Sequence, residues 1–198
     1  MSRSPGVFRC GRTVREEGEA YCLDCKGREK SFITGFPLCD YDDVMQRAVT
    51  RIKYGNRREY IRPFAALLEE RYGKELRRLG ADCMIPVPVH PSRLKTRGFN
   101  QAELLARELS PYLGIPVRPE FLSRTRKTEA QKELTPDERV RNLSRAFTAD
   151  LMGEKINTVI LADDIYTTGS TVEACSRALR AAGVSRIYYV SICIVPEA

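Results

Sequence analysis

The residues with the clearest chemistry lie between Thr158 and Thr171, in TVILADDIYTTGST. Two carboxylates, Asp163 and Asp164, end an apolar run, and a cluster of hydroxyls around Gly169 follows. Carboxylates accept hydrogen bonds, so they suit vicinal sugar hydroxyls, and they also suit a hydrated Mg2+. Thr167, Thr168, Ser170 and Thr171 offer hydroxyl donors, and Gly169 lets the backbone approach an anion closely. A helix opening at Ser170 or Thr171 would add its free amides and the positive end of its dipole. Acceptors for a diol at one end and donors for a phosphate at the other fit a 5-phosphorylated ribose. An acidic pair that only caps a helix at a strand end accounts for the same residues equally well. No lysine follows the glycine, which excludes a Walker A loop, and the spacing is not GxGxxG.

A second chemical stretch is PVPVHPSRLKTRGFNQAELLA, with Arg93, Lys95 and Arg97 just ahead of Gly98. Turned toward one pocket, these cations make a pyrophosphate cradle; turned outward, they are a solvated basic turn. Taken alone the stretch favours the second reading. His90, the single histidine, stands beside it, in a surface or supporting position rather than a catalytic one. A third stretch, TRKTEAQKELTPDERVRN over 125–142, has hardly an apolar residue. A solvated connector explains it simply, yet a segment of this length inside a compact domain is usually a functional lid or disordered.

Positioning these residues requires regular elements on either side. Val44, Ala48 and Ile52 keep helical spacing, and after the break at YGNRR so do Ile61, Phe64, Ala65, Leu68, Tyr72, Leu76 and Leu79. CMIPVPV reads as a short buried strand, and Ala102, Leu105, Ala106, Leu109 and Leu113 mark the helix after it. LGIPV and FLSR are weaker strand candidates. NTVILADD is a strong buried strand, followed by a helix with Val172, Cys175, Ala178, Leu179 and Ala182 on one side, and Gly183 is a fitting stop. RIYYVSICIV is the closing strand. Strands apolar throughout and separated by amphipathic helices predict a parallel sheet covered on both faces. Ligands of such sheets sit at the carboxyl ends of the strands, where the three chemical stretches fall.

Composition narrows the setting. The 198 residues, 42% of them hydrophobic, suit one substantial domain with a small appendage. No apolar run approaches the roughly 18–20 residues that span a bilayer, and MSRSPGVFRCGRT lacks a secretory apolar middle, so a cytoplasmic protein is expected. The formal charge of +7 points to anionic partners: phosphorylated metabolites, nucleic acid or an acidic protein. Seven cysteines, an odd number, argue against a disulfide framework. Cys83, Cys175 and Cys193 sit in apolar patterns and read as buried small hydrophobes, whereas Cys10, Cys22, Cys25 and Cys39 crowd the N-terminal fifth.

The stretch from Thr158 to Thr171 resembles the phosphoribosyl pyrophosphate (PRPP) motif of type I phosphoribosyltransferases: hydrophobic residues, two acids, then TTGST. Together with the PVPVHPSRLKTRGFNQAELLA turn, the KTEAQ segment and the cysteine-rich start, it is similar to the ComF/GntX family, named for competence for DNA uptake, over nearly the whole chain. The resemblance implies an α/β, parallel-sheet type I phosphoribosyltransferase fold. It would comprise a cysteine-rich head at 1–40 and the α/β domain at 41–198, with the helices of 41–80 as a hood over the acceptor. It places Asp163 and Asp164 on the ribose hydroxyls with Mg2+, and Thr167, Thr168, Gly169, Ser170 and Thr171 around the 5-phosphate. Arg93, Lys95, Arg97 and Gly98 would meet the pyrophosphate, and a flexible loop would set Lys127, Gln131 or Arg139 over that leaving group.

The family head usually carries two cysteine pairs. Here Cys22-Leu-Asp-Cys25 is complete, but Val7 stands three residues before Cys10. Zinc wants four ligands in a closed site, and Cys39 is the remaining candidate beside Cys10, Cys22 and Cys25; reduced thiols without metal are the alternative. Nothing in this head supplies the nucleophile of a glutamine-dependent amidotransferase, so that activity is not expected. The expected function is transfer of a 5-phosphoribosyl group from PRPP to an unidentified nitrogen acceptor. The alternative is a non-enzymatic role: a PRPP- or nucleotide-sensing module, or an adaptor for single-stranded DNA or a protein of the competence machinery.

Overall fold

The computed structural model describes residues 9–12, 22, 25–26, 29–124 and 146–196. Within them the chain forms the strands β1 (Thr34–Asp40), β2 (Cys83–Pro86), β3 (Leu122–Arg124), β4 (Phe147–Ala149), β5 (Thr158–Tyr166) and β6 (Arg186–Ile194). The α-helices are α1 (Asp43–Tyr54), α2 (Ile61–Arg78), α3 (Pro91–Arg97), α4 (Gln101–Leu113) and α5 (Ser170–Ala181). Four strands make a parallel sheet in the order β1-β6-β5-β2, and β3 and β4 pair as a separate antiparallel ribbon.

Strand β5 shows why the sheet must be covered twice. Val159 and Leu161 join the core beneath α5, while Ile160 and Ala162 join the core beneath α2 and α4. Successive side chains of a strand point to opposite faces, so an unbroken apolar run needs a helix layer on each. On the second face Ile61, Ala65, Leu68 and Leu76 of α2 share one core with Leu105, Ala106 and Leu109 of α4. Leu105 and Leu109 are fully buried, and truncating either to Ala would cost roughly 2–5 kcal/mol. The helices of 41–80 thus pack as a layer of the domain, with Val49 and Ile52 of α1 in the same core.

Three expectations need correction. The head was expected to end at residue 40, but Thr34–Asp40 is an edge strand of the main sheet, paired in parallel with β6. Pro37 disguises it; at an edge its missing N–H costs little. Gly35 is required there because a Cβ would lie 2.0 Å from Tyr189 Cε1. The run CMIPVPV is strand only to Pro86. The basic turn that follows is helical, with His90 as its N-cap: His90 Nδ1 accepts from the Ser92 amide at 3.2 Å. Gly98 closes this helix at φ 79, its N–H donating to Leu94 O at 2.7 Å. The polar segment leaves from β3 and returns at β4, and Lys127, Gln131 and Arg139 lie outside the described residues. No helix of the described residues is long and apolar enough to cross a membrane.

Candidate functional site

Strand β5 delivers Asp163 and Asp164 to its carboxyl end and stops at Tyr166; α5 begins at Ser170. The turn between them is tightly determined. Gly169 sits at φ 76, and a Cβ there would lie 2.1 Å from Tyr166 Oη. Backbone conformation and the ring beneath both exclude a side chain. The Tyr166 ring is itself fixed, stacked on Tyr189 at 4.9 Å between centroids, with Phe32 edge-on to both. Above this platform Thr167 and Thr168 are exposed, and Thr168 Oγ1 shares a hydrogen bond with Ser170 Oγ at 2.8 Å. Exposed hydroxyls therefore surround the first free amides of α5, an arrangement that can receive an anion without supplying a charge.

The acid pair is buried, with Asp163 8% and Asp164 6% exposed. Asp163 Oδ1 accepts from the Asp164 amide at 2.9 Å. Burial, and then the charge of Asp164, push the Asp163 carboxyl well above its ordinary range. Burial also acts on Asp164, but the charge of Lys53 and the hydrogen bond from it outweigh that effect and hold Asp164 below its ordinary value. Lys53, from the last turn of α1, forms an ion pair with Asp164 Oδ2. The two neighbours are thus driven apart, Asp163 upward and Asp164 downward. Their hard oxygens suit Mg2+, and Asp163 and Asp164 are the residues that would hold it.

Beside this pair lies a cavity of about 540 Å³, lined by Lys53, Tyr54, Asn56 and Arg58 from α1 and its turn and by Arg93, Arg97 and Phe99 from the α3 side. The Arg97 guanidinium lies over the Tyr54 ring at 5.5 Å and donates to Gln101 Oε1; the Arg58 guanidinium covers the Phe99 ring at 4.4 Å. Of the cations expected from the sequence, Arg93 and Arg97 face this cavity and Lys95 is not part of its lining. Gly98 serves as a helix stop beside it.

The head packs behind the phosphate-type turn. Cys10, Cys22 and Cys25 are buried with their Sγ atoms all within 4.8 Å, and Cys10 Sγ is 3.4 Å from Cys22 Sγ. Thiolates about 2.3 Å from a zinc ion sit about 3.7 Å apart in a tetrahedron, so three corners of such a site fit. Hydrogen bonds from Cys10 and then Cys25 hold the Cys22 thiol far below its usual range, favouring one thiolate in the cluster. Cys39 is not the fourth corner. It lies on β1 opposite Cys193, donates to Ile192 O at 3.1 Å and has its Sγ 3.8 Å from that of Cys193. Arg12 connects head and site: its Nη2 donates to the Thr167 carbonyl at 2.7 Å. Glu173 of α5 accepts from the Ser31 amide and hydroxyl at 2.9 and 2.8 Å, fastening the end of the head to the same helix.

Sequence reasoning missed Lys53, Arg58 and Arg12, because each acts through a contact distant in the chain. A weak signal existed for Lys53 and Arg58, in the basic and aromatic residues around the YGNRR break. Comparison with known proteins follows the geometry. Residues 94–197 match the family model described as a phosphoribosyl transferase domain. Over 188 residues the chain is 32% identical to competence protein F of Haemophilus influenzae, an alignment covering 92% of this chain and 82% of that one. It is 30% identical over 194 residues to competence protein ComFC of Bacillus subtilis, covering 89% and 73%. It is 32% identical over 159 residues to DNA utilization protein YhgH of Salmonella typhi, covering 79% and 70%. A domain match over more than half the length, and relatives aligned along most of it, put the chain in the ComF family, with a phosphoribosyltransferase fold.

Proposed function

We propose that the chain binds PRPP with Mg2+ and transfers its 5-phosphoribosyl group to a nitrogen acceptor, releasing pyrophosphate. One observation carries this reading: two buried carboxylates stand at the end of β5, directly ahead of a turn whose Gly169 has no room for a side chain above the Tyr166 ring and whose Thr167 and Thr168 are exposed. Asp163 and Asp164 take the ribose hydroxyls, and Thr167, Thr168, Gly169, Ser170 and Thr171 surround the 5-phosphate. Arg93 and Arg97, with Lys53, hold the pyrophosphate, while Lys95 and Gly98 frame the helix that carries the arginines. Lys127, Gln131 and Arg139 belong to the segment assigned to cover it. Mg2+ held by Asp163 and Asp164 would supply positive charge that balances the charge of the pyrophosphate. The protein's own part is orientation, and guanidinium charge placed where negative charge grows. Zn2+ in the Cys10, Cys22, Cys25 cluster is a structural group in this reading, and a cytoplasmic setting suits the reduced thiols.

The names of the relatives, competence protein and DNA utilization protein, favour a role with DNA. The second reading is therefore a PRPP- or nucleotide-responsive adaptor that handles single-stranded DNA or a protein of the competence machinery. Calorimetric titration of PRPP with Mg2+ separates wild type from an Asp163→Asn/Asp164→Asn variant whose fold is checked by circular dichroism. Saturable binding that weakens at least about 100-fold in the variant supports the site, on the scale of two lost charge-assisted contacts. Absence of binding to folded wild type overturns it and favours an adaptor that handles single-stranded DNA or a protein partner without PRPP.

A further inference from the structure

The cavity beside Asp164 holds more than a pyrophosphate needs. Pyrophosphate offers oxygen atoms to cations but no surface to an aromatic ring, yet Tyr54 and Phe99 both line this space. Tyr54 is 77% exposed, with the Arg97 guanidinium over its ring at 5.5 Å. At the rim of this polar cavity the Tyr54 ring offers a flat apolar surface with a hydroxyl at its edge. The turn that presents it is also unusual. Asn56 adopts φ 54, a left-handed conformation outside glycine, and its Oδ1 accepts from Arg58 Nε at 2.9 Å. Such residues tend to gather where a site needs a particular backbone shape.

Charge sets the chemistry further. Among the described residues that line the cavity are Lys53, Arg58, Arg93 and Arg97, and no carboxylate. Lys53 is already matched by Asp164, and the arginines exceed it. Arg58 is oriented as well as charged: one face lies on Phe99 and its Nε is engaged by Asn56, so its terminal N–H groups are the donors left for a ligand. These donors lie in the plane of the guanidinium, the geometry that grips a carboxylate from two sides. A carboxylate bonded directly to a ring is held close to the ring plane, so a flat ligand of this kind offers a stacking surface and a two-oxygen anion together, the two features that Tyr54 and Arg58 bring to the cavity. A phosphate carried on a sugar lies out of the base plane and fits this pairing less well. The volume, about 540 Å³, falls within the roughly 300–1,000 Å³ of small-molecule pockets.

We propose that the Tyr54 and Arg58 side of this cavity is the acceptor subsite, beside the Arg93 and Arg97 that take the pyrophosphate, and that the acceptor is a planar nitrogen heterocycle bearing a carboxylate. The inference rests on the phosphoribosyl-transfer reading and specifies its missing substrate class. Tyr54 stacks the ring, Arg58 holds the carboxylate, and Lys53 marks the boundary between acceptor and acid pair. In the reaction the ring nitrogen forms a bond to C1 of the ribose with its own electron pair. The bond from C1 to the pyrophosphate oxygen breaks, and its electrons leave on pyrophosphate. A proton on the attacking nitrogen, where there is one, passes to solvent.

The test uses matched pairs that differ at the carboxylate: orotate against uracil, and nicotinate against nicotinamide, with AMP as the sugar-phosphate control. Each is titrated into the full chain, with and without PRPP and Mg2+, and into Tyr54→Ala and Arg58→Ala. The expected result is that a carboxylated ring binds at least about tenfold more tightly than its neutral counterpart, and that each variant reduces this by at least about fivefold. PRPP titration into the same variants should stay within about threefold of wild type, because the two subsites are distinct. Three results overturn the proposal: equal binding of charged and neutral rings or of none, tighter binding of AMP than of either carboxylate, or loss of PRPP binding in both variants. If wild type binds a carboxylated ring at this cavity but not PRPP, the transfer reading fails while the subsite stands.

Discussion

The two flanks of the acid pair are built on opposite plans. On one side, the turn from Thr167 to Thr171 carries no cation of its own and rests on a rigid base of Tyr166, Tyr189 and Phe32, with Arg12 tied to its backbone. On the other, the cavity between α1 and α3 is lined by guanidinium groups and aromatic rings, with Tyr54, Arg58 and Arg93 exposed. The first flank would hold an anion by geometry, through amides and hydroxyls that cannot move. The second would hold one by charge, through side chains that can. Geometry fails abruptly when a single atom is added, whereas charge weakens by degrees and is screened by salt. Lys53 is where the plans meet, because it leaves the cationic flank to neutralise a buried carboxylate.

That junction gives the largest expected effect. Lys53→Met leaves Asp164 buried without its counter-charge and should cost roughly 3–5 kcal/mol at neutral pH, read by urea unfolding. The sign of the pH dependence should reverse at this residue. In wild type the Asp164 pKa is depressed, so its contribution is present above the ordinary carboxylate pKa and is lost as pH falls through the folded value. In the variant burial is uncompensated, the folded pKa rises above the unfolded one, and the loss comes as pH rises instead. Equal stability of variant and wild type across this range would break the comparison at its join.

Gly169→Ala tests the geometric flank. The added Cβ meets Tyr166 in a backbone region that alanine avoids, so about 2–4 kcal/mol of stability should go, together with anion binding at the turn. Asp163→Asn should act in the opposite direction, because the folded carboxyl has a raised pKa and its contribution fades as pH climbs from the ordinary range through the folded value. The variant should gain about 1–2 kcal/mol over wild type near about pH 8, gain little near about pH 4, and lose ribose binding. Thermal unfolding at the two pH values measures the difference. Smallest is Arg93→Ala on the cationic flank: about three- to tenfold weaker pyrophosphate binding at low salt, converging on wild type as salt is raised. A salt-independent loss there would mean that this flank too works by fixed geometry.

The sequence made one flank far more legible than the other. The β5–α5 unit could be read because its parts are contiguous: an apolar run, two acids, a glycine that a tight turn demands, and a helical period. Helix α2 was readable from Ile61, Ala65, Leu68 and Leu76 for the same reason. Lys53 was not, since in sequence it is one more basic residue near a helix end, and only folding sets it against Asp164. Strand β1 was hidden by Gly35 and Pro37, residues that ordinarily break strands. Here a tyrosine ring and an edge position permit them. The Cys39 assignment failed because spacing carries no register: β1 turns that thiol toward Cys193, away from the cluster it was counted with.

The pairing of β1 with β6 also sets an order of events during synthesis. Tyr189 Oη donates to Cys10 O at 2.7 Å across a separation of 179 residues, and Thr34–Asp40 finds its partner strand only at Arg186–Ile194. At about 5–20 residues per second the N-terminal segment must wait roughly 10–35 s on the ribosome before its partner exists. During that time three thiols destined for burial stand in water beside an unpaired strand edge. A metal ion taken up early by Cys22 and Cys25 would shelter them through the interval, so the head would be needed first as a guard for the growing chain and only later as a support for the turn at Thr167.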